Sequence, residues 1–201
     1  MMEFLSTHWY QITGVVFGLI YLYLEYKANI WMWAAGILMT VFYIVIFYES
    51  SLYASMGIYV FFLLASIYGW LSWMIKHRKA KEDNKDSAPI ERMPIRKIIL
   101  VVGGVLLVSV VLVYILSTYT DNKTEIIIGD SLSTSLNIIA LAMAAQKWAE
   151  QWLLLIPANI ISAALLFIQD DPISGILFIV YFVVSIFGYR NWVRLAAEKQ
   201  S

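Results

Sequence analysis

Seven long apolar runs occupy most of this sequence and limit what it can fold into. A helix needs about 20 mostly apolar residues to cross a hydrocarbon core of about 30 Å, and each run approaches or exceeds that length. The runs cover residues 9–24, 30–48, 52–75, 98–118, 132–149, 152–168 and 172–193. Since 61% of the residues are hydrophobic and only 14% are charged, we predict an all-α membrane protein with seven transmembrane helices.

An eight-residue phrase occurs twice and indicates an internal duplication. SIYGWLSW begins at Ser66 and SIFGYRNW begins at Ser185, 119 positions later. This spacing is too long for a solenoid repeat and suits a unit of three membrane helices with a connector. We therefore predict four segments, namely a first three-helix repeat (1–76), a cytoplasmic loop (77–97), a linker helix (98–118) and a second three-helix repeat (119–201).

The distribution of Lys and Arg predicts the orientation in the membrane. If the N-terminus is outside, 13 of the 14 basic residues fall on the inner side and Lys123 alone falls outside. This is the bias expected of cytoplasmic loops, so we expect an outside N-terminus, a cytoplasmic C-terminus and an odd number of spans. A single linker helix then inserts both repeats in the same direction. The prediction is a SWEET-like 3+1+3 arrangement of parallel repeats, with a substrate path between them.

The sequence lacks the residues that several other functions need. It contains no cysteine, which excludes thiol catalysis and thiolate metal sites. Neither His8 nor His77 has a partner at metal-binding spacing, and no nucleotide-binding loop is present. We predict no enzyme activity, no cofactor and no metal site. The mixed charges of the 77–97 loop indicate a mobile linker and a topology signal rather than nucleic-acid binding.

The fifth run begins with a cluster of polar side chains. Its members are Ser131, Ser133, Thr134, Ser135 and Asn137. Exposing these groups to lipid is costly, so we expect them to face protein or water.

Aromatic and uncharged polar residues inside the spans are the candidates for a substrate path. Aromatic faces attract a cation, by roughly 0.5–2 kcal/mol each, and amides read ring substituents through hydrogen bonds, so the set suits a flat cationic ring. The candidate substrate-binding residues are Trp33, Tyr43, Tyr59, Phe62, Asn137, Gln146, Asn159, Ser162 and Tyr181. For the other Trp and Tyr residues near helix ends, an interfacial belt or a packing role is the alternative. That group comprises Trp9, Tyr10, Trp31, Trp70, Trp73, Trp152 and Trp192.

Several segments in order resemble the PnuC-type vitamin transporters. In the first half these are FYESSLYAS from Phe47 and SIYGW from Ser66; in the second they are Asp130-Ser131, KWAEQW from Lys147 and NIIS from Asn159. The resemblance covers nearly the whole chain except the fourth helix and its loops. It implies a SWEET-like fold that is often trimeric, residence in the bacterial inner membrane, and facilitated uptake. A cytoplasmic kinase then traps the vitamin by phosphorylation.

Three positions depart from the pattern that the resemblance implies for nicotinamide riboside carriers. Those carriers tend to have Asn, Gln and Trp where this chain has Met39, Tyr59 and Leu155. We therefore expect thiamine, as in the thiamine-specific branch of the family, with nicotinamide riboside as the alternative and riboflavin behind it. A sugar facilitator and a purely structural membrane protein remain open from the residues alone.

Overall fold

The structure is a computed structural model, and it describes residues 16–49, 53–82, 90–120 and 123–198. Over these residues the chain forms seven α-helices, which confirms the predicted all-α class. The helices are α1 (Val16–Tyr26), α2 (Trp31–Glu49), α3 (Tyr53–Glu82), α4 (Ile98–Tyr119), α5 (Thr124–Ala145), α6 (Gln151–Ile168) and α7 (Pro172–Ala197). The beginning of the predicted first span, 9–15, lies outside the described residues.

Five of the seven helices, α3 to α7, are long and apolar enough to cross a membrane. The apolar stretches of α1 and α2 are shorter within the described residues, at Val16–Tyr26 and Trp31–Val45. Large apolar side chains are exposed along these helices, and α4 carries Leu106 at 61% and Leu107 at 67% exposure. Surfaces of this kind suit lipid, because the helices satisfy their own backbone hydrogen bonds.

The chain divides into two compact units, residues Met1–Ala88 and Pro89–Ser201. In the first unit, α2 packs against α3. In the second, α4 packs on α5, α5 on α6 and α6 on α7, and a hydrogen bond of 2.6 Å joins Ser109 Oγ to Ser135 Oγ across α4 and α5. The linker helix therefore belongs with the second unit.

Each unit contains the same tryptophan pair. In the first, Trp33 of α2 meets Trp73 of α3 edge to face, with ring centroids 5.9 Å apart. In the second, Trp152 of α6 meets Trp192 of α7, also at 5.9 Å. All four rings are almost completely buried, and the members of the two pairs are 119 positions apart. Such contacts stabilise a helix pair by about 0.5–1.5 kcal/mol beyond their buried area.

The turns before these tryptophans also correspond. Ala28 precedes α2 with φ 51°, and Lys147 precedes α6 with φ 63°. Both are non-glycine residues in the left-handed region, which costs free energy and persists only where the surroundings fix it. The two positions are again 119 residues apart.

Residues 90–97, which we call the strap, are held against the turn between α5 and α6. The Glu91 N–H donates to the Lys147 carbonyl (2.9 Å), and the Ala149 N–H donates to the Glu91 carbonyl (3.0 Å). Ile90 is buried beside this bridge. The predicted mobile loop of 77–97 is therefore wrong at both ends, because α3 continues through Glu82 and the strap is docked on folded backbone.

Side chains complete the docking of the strap. Both carboxylate oxygens of Glu150 accept hydrogen bonds, from Arg92 Nε (2.5 Å) and from the Met93 N–H (2.7 Å). The bond to Glu150 raises the pKa of the Arg92 guanidinium above its ordinary value. The hydroxyl of Tyr189 lies 3.5 Å from Arg92 Nη2.

Candidate functional site

The first unit brings three of the candidate residues together as an aromatic cluster. The ring of Tyr43 on α2 lies 4.9 Å from that of Tyr59 on α3, with an interplanar angle of 37°. The ring of Phe62, three residues further along α3, lies 6.2 Å from Tyr59. All three side chains are half-buried. The cluster therefore offers adjacent aromatic surfaces, which attract flat cationic ligands.

Trp33 does not belong to this cluster. Its ring is enclosed between α2 and α3, where it packs on Trp73 and lies directly against the backbone of Gly69. Its indole Nε1 is buried without a hydrogen-bond partner among the described residues. The side chain thus stands in the interior of the first unit, in the same pairing that Trp152 makes in the second.

In the second unit a buried chain of hydrogen bonds links two candidate residues. Asn159 Nδ2 on α6 donates to Ser185 Oγ on α7 (3.1 Å), and Ser185 Oγ donates to the Tyr181 carbonyl (2.7 Å). Asn159 and Ser185 are both buried. The serine therefore fixes the orientation of the amide, since a hydrogen-bonded amide between helices does not rotate freely.

Two further candidates lie beside this chain. Ser162 follows Asn159 by three residues on α6, so the two side chains share a helix face, and Ser162 is half-buried. The ring of Tyr181 contacts Phe178 one turn earlier on α7, at a centroid distance of 5.5 Å. A polar group and an aromatic surface thus lie on neighbouring helices of the second unit.

The remaining candidates are Asn137 on α5 and Gln146 in the turn after it. Asn137 Nδ2 donates to the Ser133 carbonyl of its own helix (2.9 Å), so one of its two N–H donors is engaged. Gln146 follows the last residue of α5, in the turn that receives the strap.

The family follows from a match along the chain. Residues 8–194 match the model of the nicotinamide mononucleotide transporter family. The chain belongs to this family. It is therefore a multi-pass membrane transporter rather than an enzyme. Since residues 8–194 are nearly the entire chain, both units lie within the family's homologous region.

Curated relatives of this transporter align over most of their length. It is 25% identical over 215 residues to the nicotinamide riboside transporter PnuC of Escherichia coli (strain K12), covering 96% of this chain and 88% of the relative. It is 24% identical over 188 residues to the riboflavin/roseoflavin transporter RibM of Streptomyces davaonensis, covering 92% and 84%.

A crystal structure of the vitamin B3 transporter PnuC has a similar fold. The TM-score is 0.73 at 19% sequence identity, and the match covers 98% of this chain and 85% of the other. At this identity the likeness shows the fold alone.

The transporter places its tryptophans in two different environments. Trp31 is exposed at 61% and lies 6.2 Å edge to face from half-buried Trp70, as suits an interfacial belt. Trp73, Trp152 and Trp192 are interior, which is the packing alternative. Trp9 and Tyr10 lie outside the described residues.

Sequence reasoning missed Ser185 as the partner of Asn159. The available signal was the duplication, because Ser185 and Ser66 open the two copies of the repeated phrase and both are buried. The buried positions Ser131, Ser133 and Ser135 agree with the expectation that the polar start of the fifth span faces protein.

Proposed function

We propose that this transporter carries thiamine into the cell by facilitated diffusion. The observation that carries the proposal is the contact between Tyr43 and Tyr59, whose rings are 4.9 Å apart. The family resemblance implies a Gln at position 59 in nicotinamide riboside carriers. A phenol ring at this position replaces a group that reads a carboxamide with one that attracts a flat cation.

Each unit holds one kind of residue that suits thiamine. In the first unit, the aromatic side chains of Tyr43, Tyr59 and Phe62 suit the thiazolium ring, which is flat and cationic. In the second unit, the amide of Asn159 suits the aminopyrimidine, which carries a donor beside an acceptor. Ser185 fixes that amide in advance, so little ordering entropy is lost when a ligand binds.

The mechanism we propose needs no energy input from this chain. The sequence has no nucleotide-binding loop, and the described residues contain no cluster of His, Cys, Asp or Glu suited to a metal ion. Net uptake then comes from phosphorylation of the vitamin by a cytoplasmic kinase, which prevents its return. We further propose a homotrimer in the bacterial inner membrane, with the N-terminus outside and the C-terminus in the cytoplasm.

Nicotinamide riboside is the second candidate substrate. The curated relative in Escherichia coli is named as a transporter of nicotinamide riboside, and nicotinamide riboside is also a flat cation that aromatic rings attract. Riboflavin is a third candidate, because the relative in Streptomyces davaonensis is named as a riboflavin/roseoflavin transporter.

Equilibrium binding separates these candidates. The detergent-purified protein is titrated with thiamine, nicotinamide riboside and riboflavin in turn, by calorimetry. Thiamine binding without riboside binding supports the proposal, and the reverse assigns the chain to nicotinamide riboside. If the protein binds none of the three vitamins but takes up a sugar, and excess sugar competes with that uptake, the chain is assigned to the sugar facilitators.

Transport by variants tests the assigned residues. Asn159→Ala combined with Tyr181→Ala is expected to abolish thiamine uptake by proteoliposomes. Ser117→Ala is the control, because Ser117 is exposed and donates to the Tyr114 carbonyl of its own helix. Unchanged uptake by the double variant would exclude this part of the second unit from the path.

A further inference from the structure

The side chain of Gln151 is the least satisfied polar group in the described part of the second unit. The residue is completely buried at the first position of α6. Neither Nε2 nor Oε1 of its amide has a hydrogen-bond partner among the described residues. Buried amides in folded proteins almost always have partners, so an amide with both atoms unpaired points to a water or ligand that completes it.

Comparison of the two repeats shows that packing at position 151 does not require an amide side chain. The position 119 residues earlier is Met32, which is also completely buried and which precedes Trp33 as Gln151 precedes Trp152. An apolar side chain of similar length therefore fills this place in the first unit. The polar atoms of Gln151 are a feature of the second unit alone.

Neighbouring groups mark the same region as polar and constrained. The indole Nε1 of Trp152 is likewise buried and unpaired within the described residues, as is that of Trp33 in the first unit, so the amide and not the indole is what distinguishes the second unit. The preceding residues, Ala149 and Glu150, are held by the strap. Gln151 thus lies at the start of a helix whose entry is fixed from outside, with three unpaired polar atoms on two consecutive side chains.

We propose that the Gln151 amide is a second binding station for the transported vitamin, at the strap end of the second unit. An amide supplies one donor and one acceptor side by side, so the station takes a ring edge that presents the complementary pair, as an aminopyrimidine or a carboxamide does. The proposal rests on the proposed function and adds a site that the substrate reaches after Asn159, which lies eight residues further along α6.

The buried state of Gln151 fits a transporter that changes conformation. In this state no group of the described residues pairs with the buried amide, and an unpaired amide raises the free energy of the state that buries it. A ligand that pairs with the amide stabilises the conformation in which Gln151 is accessible. Binding of the vitamin at Gln151 therefore favours the conformation that is open at the strap end of the second unit. Arrival of the substrate at this station is thereby coupled to its release.

The test pairs a protein variant with a ligand variant. Gln151→Met places in the second unit the residue that occupies the matching place in the first. Calorimetry measures the affinity of wild type and Gln151→Met for thiamine and for a thiamine analogue whose pyrimidine 4-amino group is replaced by hydrogen. We expect Gln151→Met to weaken thiamine binding by about 10- to 100-fold, and we expect removal of the 4-amino group to cost less affinity in Gln151→Met than in wild type, because Asn159 still reads that group in both proteins.

Gln169→Met is the matched control, because it makes the same substitution at an exposed residue just after the other end of α6. Its thiamine affinity should equal that of wild type. Thermal melting of the same samples should show Gln151→Met at least as stable as wild type, since an unpaired amide has been removed. The station is overturned if Gln151→Met and wild type bind thiamine with equal affinity. It is also overturned if wild type binds thiamine and the analogue with equal affinity.

A failure of the proposed function looks different. If wild type binds nicotinamide riboside and not thiamine, the substrate assignment is wrong. The station is then tested with the riboside and its analogue lacking the carboxamide: a smaller affinity difference between the two in Gln151→Met than in wild type supports the station, and an equal difference in both proteins overturns it. If wild type binds none of the vitamins, both the proposed function and the station fail.

Discussion

Arg92 and Glu150 join the segment before α4 to the turn between α5 and α6, with Arg92 Nε 2.5 Å from Glu150 Oε1. The arginine side chain is half exposed, whereas that of Glu150 is only 13% exposed. Because the second oxygen of Glu150 accepts from the Met93 N–H, the carboxylate holds both the side chain and the backbone of the strap.

Weakening this carboxylate should release the strap. In Glu150→Gln the charge is lost and one of the two acceptors becomes a donor, so we expect a cost of about 1–3 kcal/mol. Trypsin should then cut after Arg92 or Arg96 roughly tenfold faster or more, with the cleaved bond identified by mass spectrometry. Arg92→Ala should cost less, about 1 kcal/mol, because the guanidinium is half in solvent.

The control for the strap is the pair Arg78 and Glu82 at the end of α3. Its atoms are 3.6 Å apart and both side chains are largely exposed. Glu82→Gln should leave the cleavage pattern of the strap unchanged. Equal cleavage rates in Glu150→Gln and wild type would show that the backbone bridge alone holds the strap.

Adding a methyl group at Gly188 should destabilise the second unit. A Cβ there would lie 2.7 Å from the ring of Trp152, and that ring is buried against Trp192. The indole must shift, so Gly188→Ala is expected to cost about 1–3 kcal/mol and to lower the melting temperature.

Gly103→Ala serves as the matched control. A Cβ on Gly103 meets nothing within 4 Å, and alanine favours a helix over glycine by up to about 1 kcal/mol. The melting temperature should therefore stay the same or rise. If Gly188→Ala melts like wild type, the tryptophan pair is more mobile than its packing indicates.

Because Asn159 and Ser185 share a hydrogen bond, the effects of replacing them on the free energy of unfolding should not be additive. Asn159→Ala and Ser185→Ala each break the same 3.1 Å hydrogen bond between α6 and α7. Hydrogen bonds between membrane helices contribute about 0.6–2 kcal/mol. The loss in free energy of unfolding in the double variant should therefore be smaller, by that amount, than the sum of the losses in the two single variants. Melting in detergent measures the cycle, and strict additivity would show that the bond contributes nothing.

Exchanging the aromatic group at position 59 should change the ligand preference. In Tyr59→Gln the ring contacts with Tyr43 and Phe62 are lost. The glutamine amide that replaces the ring can form hydrogen bonds with a carboxamide. Thiamine affinity is expected to fall about tenfold, from the loss of one cation–aromatic contact, while nicotinamide riboside affinity rises. Tyr59→Phe keeps the ring and is the control, with thiamine affinity within about threefold of wild type.

Most of the helices were predictable because membrane spans leave a direct record in sequence, but α5 begins at Thr124 and ends at Ala145 rather than covering the predicted 132–149. The predicted linker helix of 98–118 and the observed α4 agree within one residue at each end, since lipid demands an uninterrupted apolar helix. The end of α3 was not predictable, because its last turns leave the apolar run. Charged residues such as Lys79 and Glu82 suit an exposed helix as well as a loop.

Whether the contacts of a candidate residue could be predicted depended on how close in sequence its partners are. Tyr59 and Phe62 are three residues apart on one helix, so their proximity follows from spacing. The role of Trp33 does not, because its burial depends on Gly69 and Trp73 from another helix. Likewise, nothing local to Glu150 indicates that residues near position 92 bind it.

The sequence by itself determined that this chain spans the membrane, that it repeats itself after 119 positions and which family its motifs resemble. Each of these properties follows from composition or order along the chain. Only the tertiary structure decided that the strap is docked, that Ser185 orients Asn159 and that the Gln151 amide is buried without a partner among the described residues. Those facts depend on pairs of groups distant in sequence, and whether two such groups meet is decided by how helices pack.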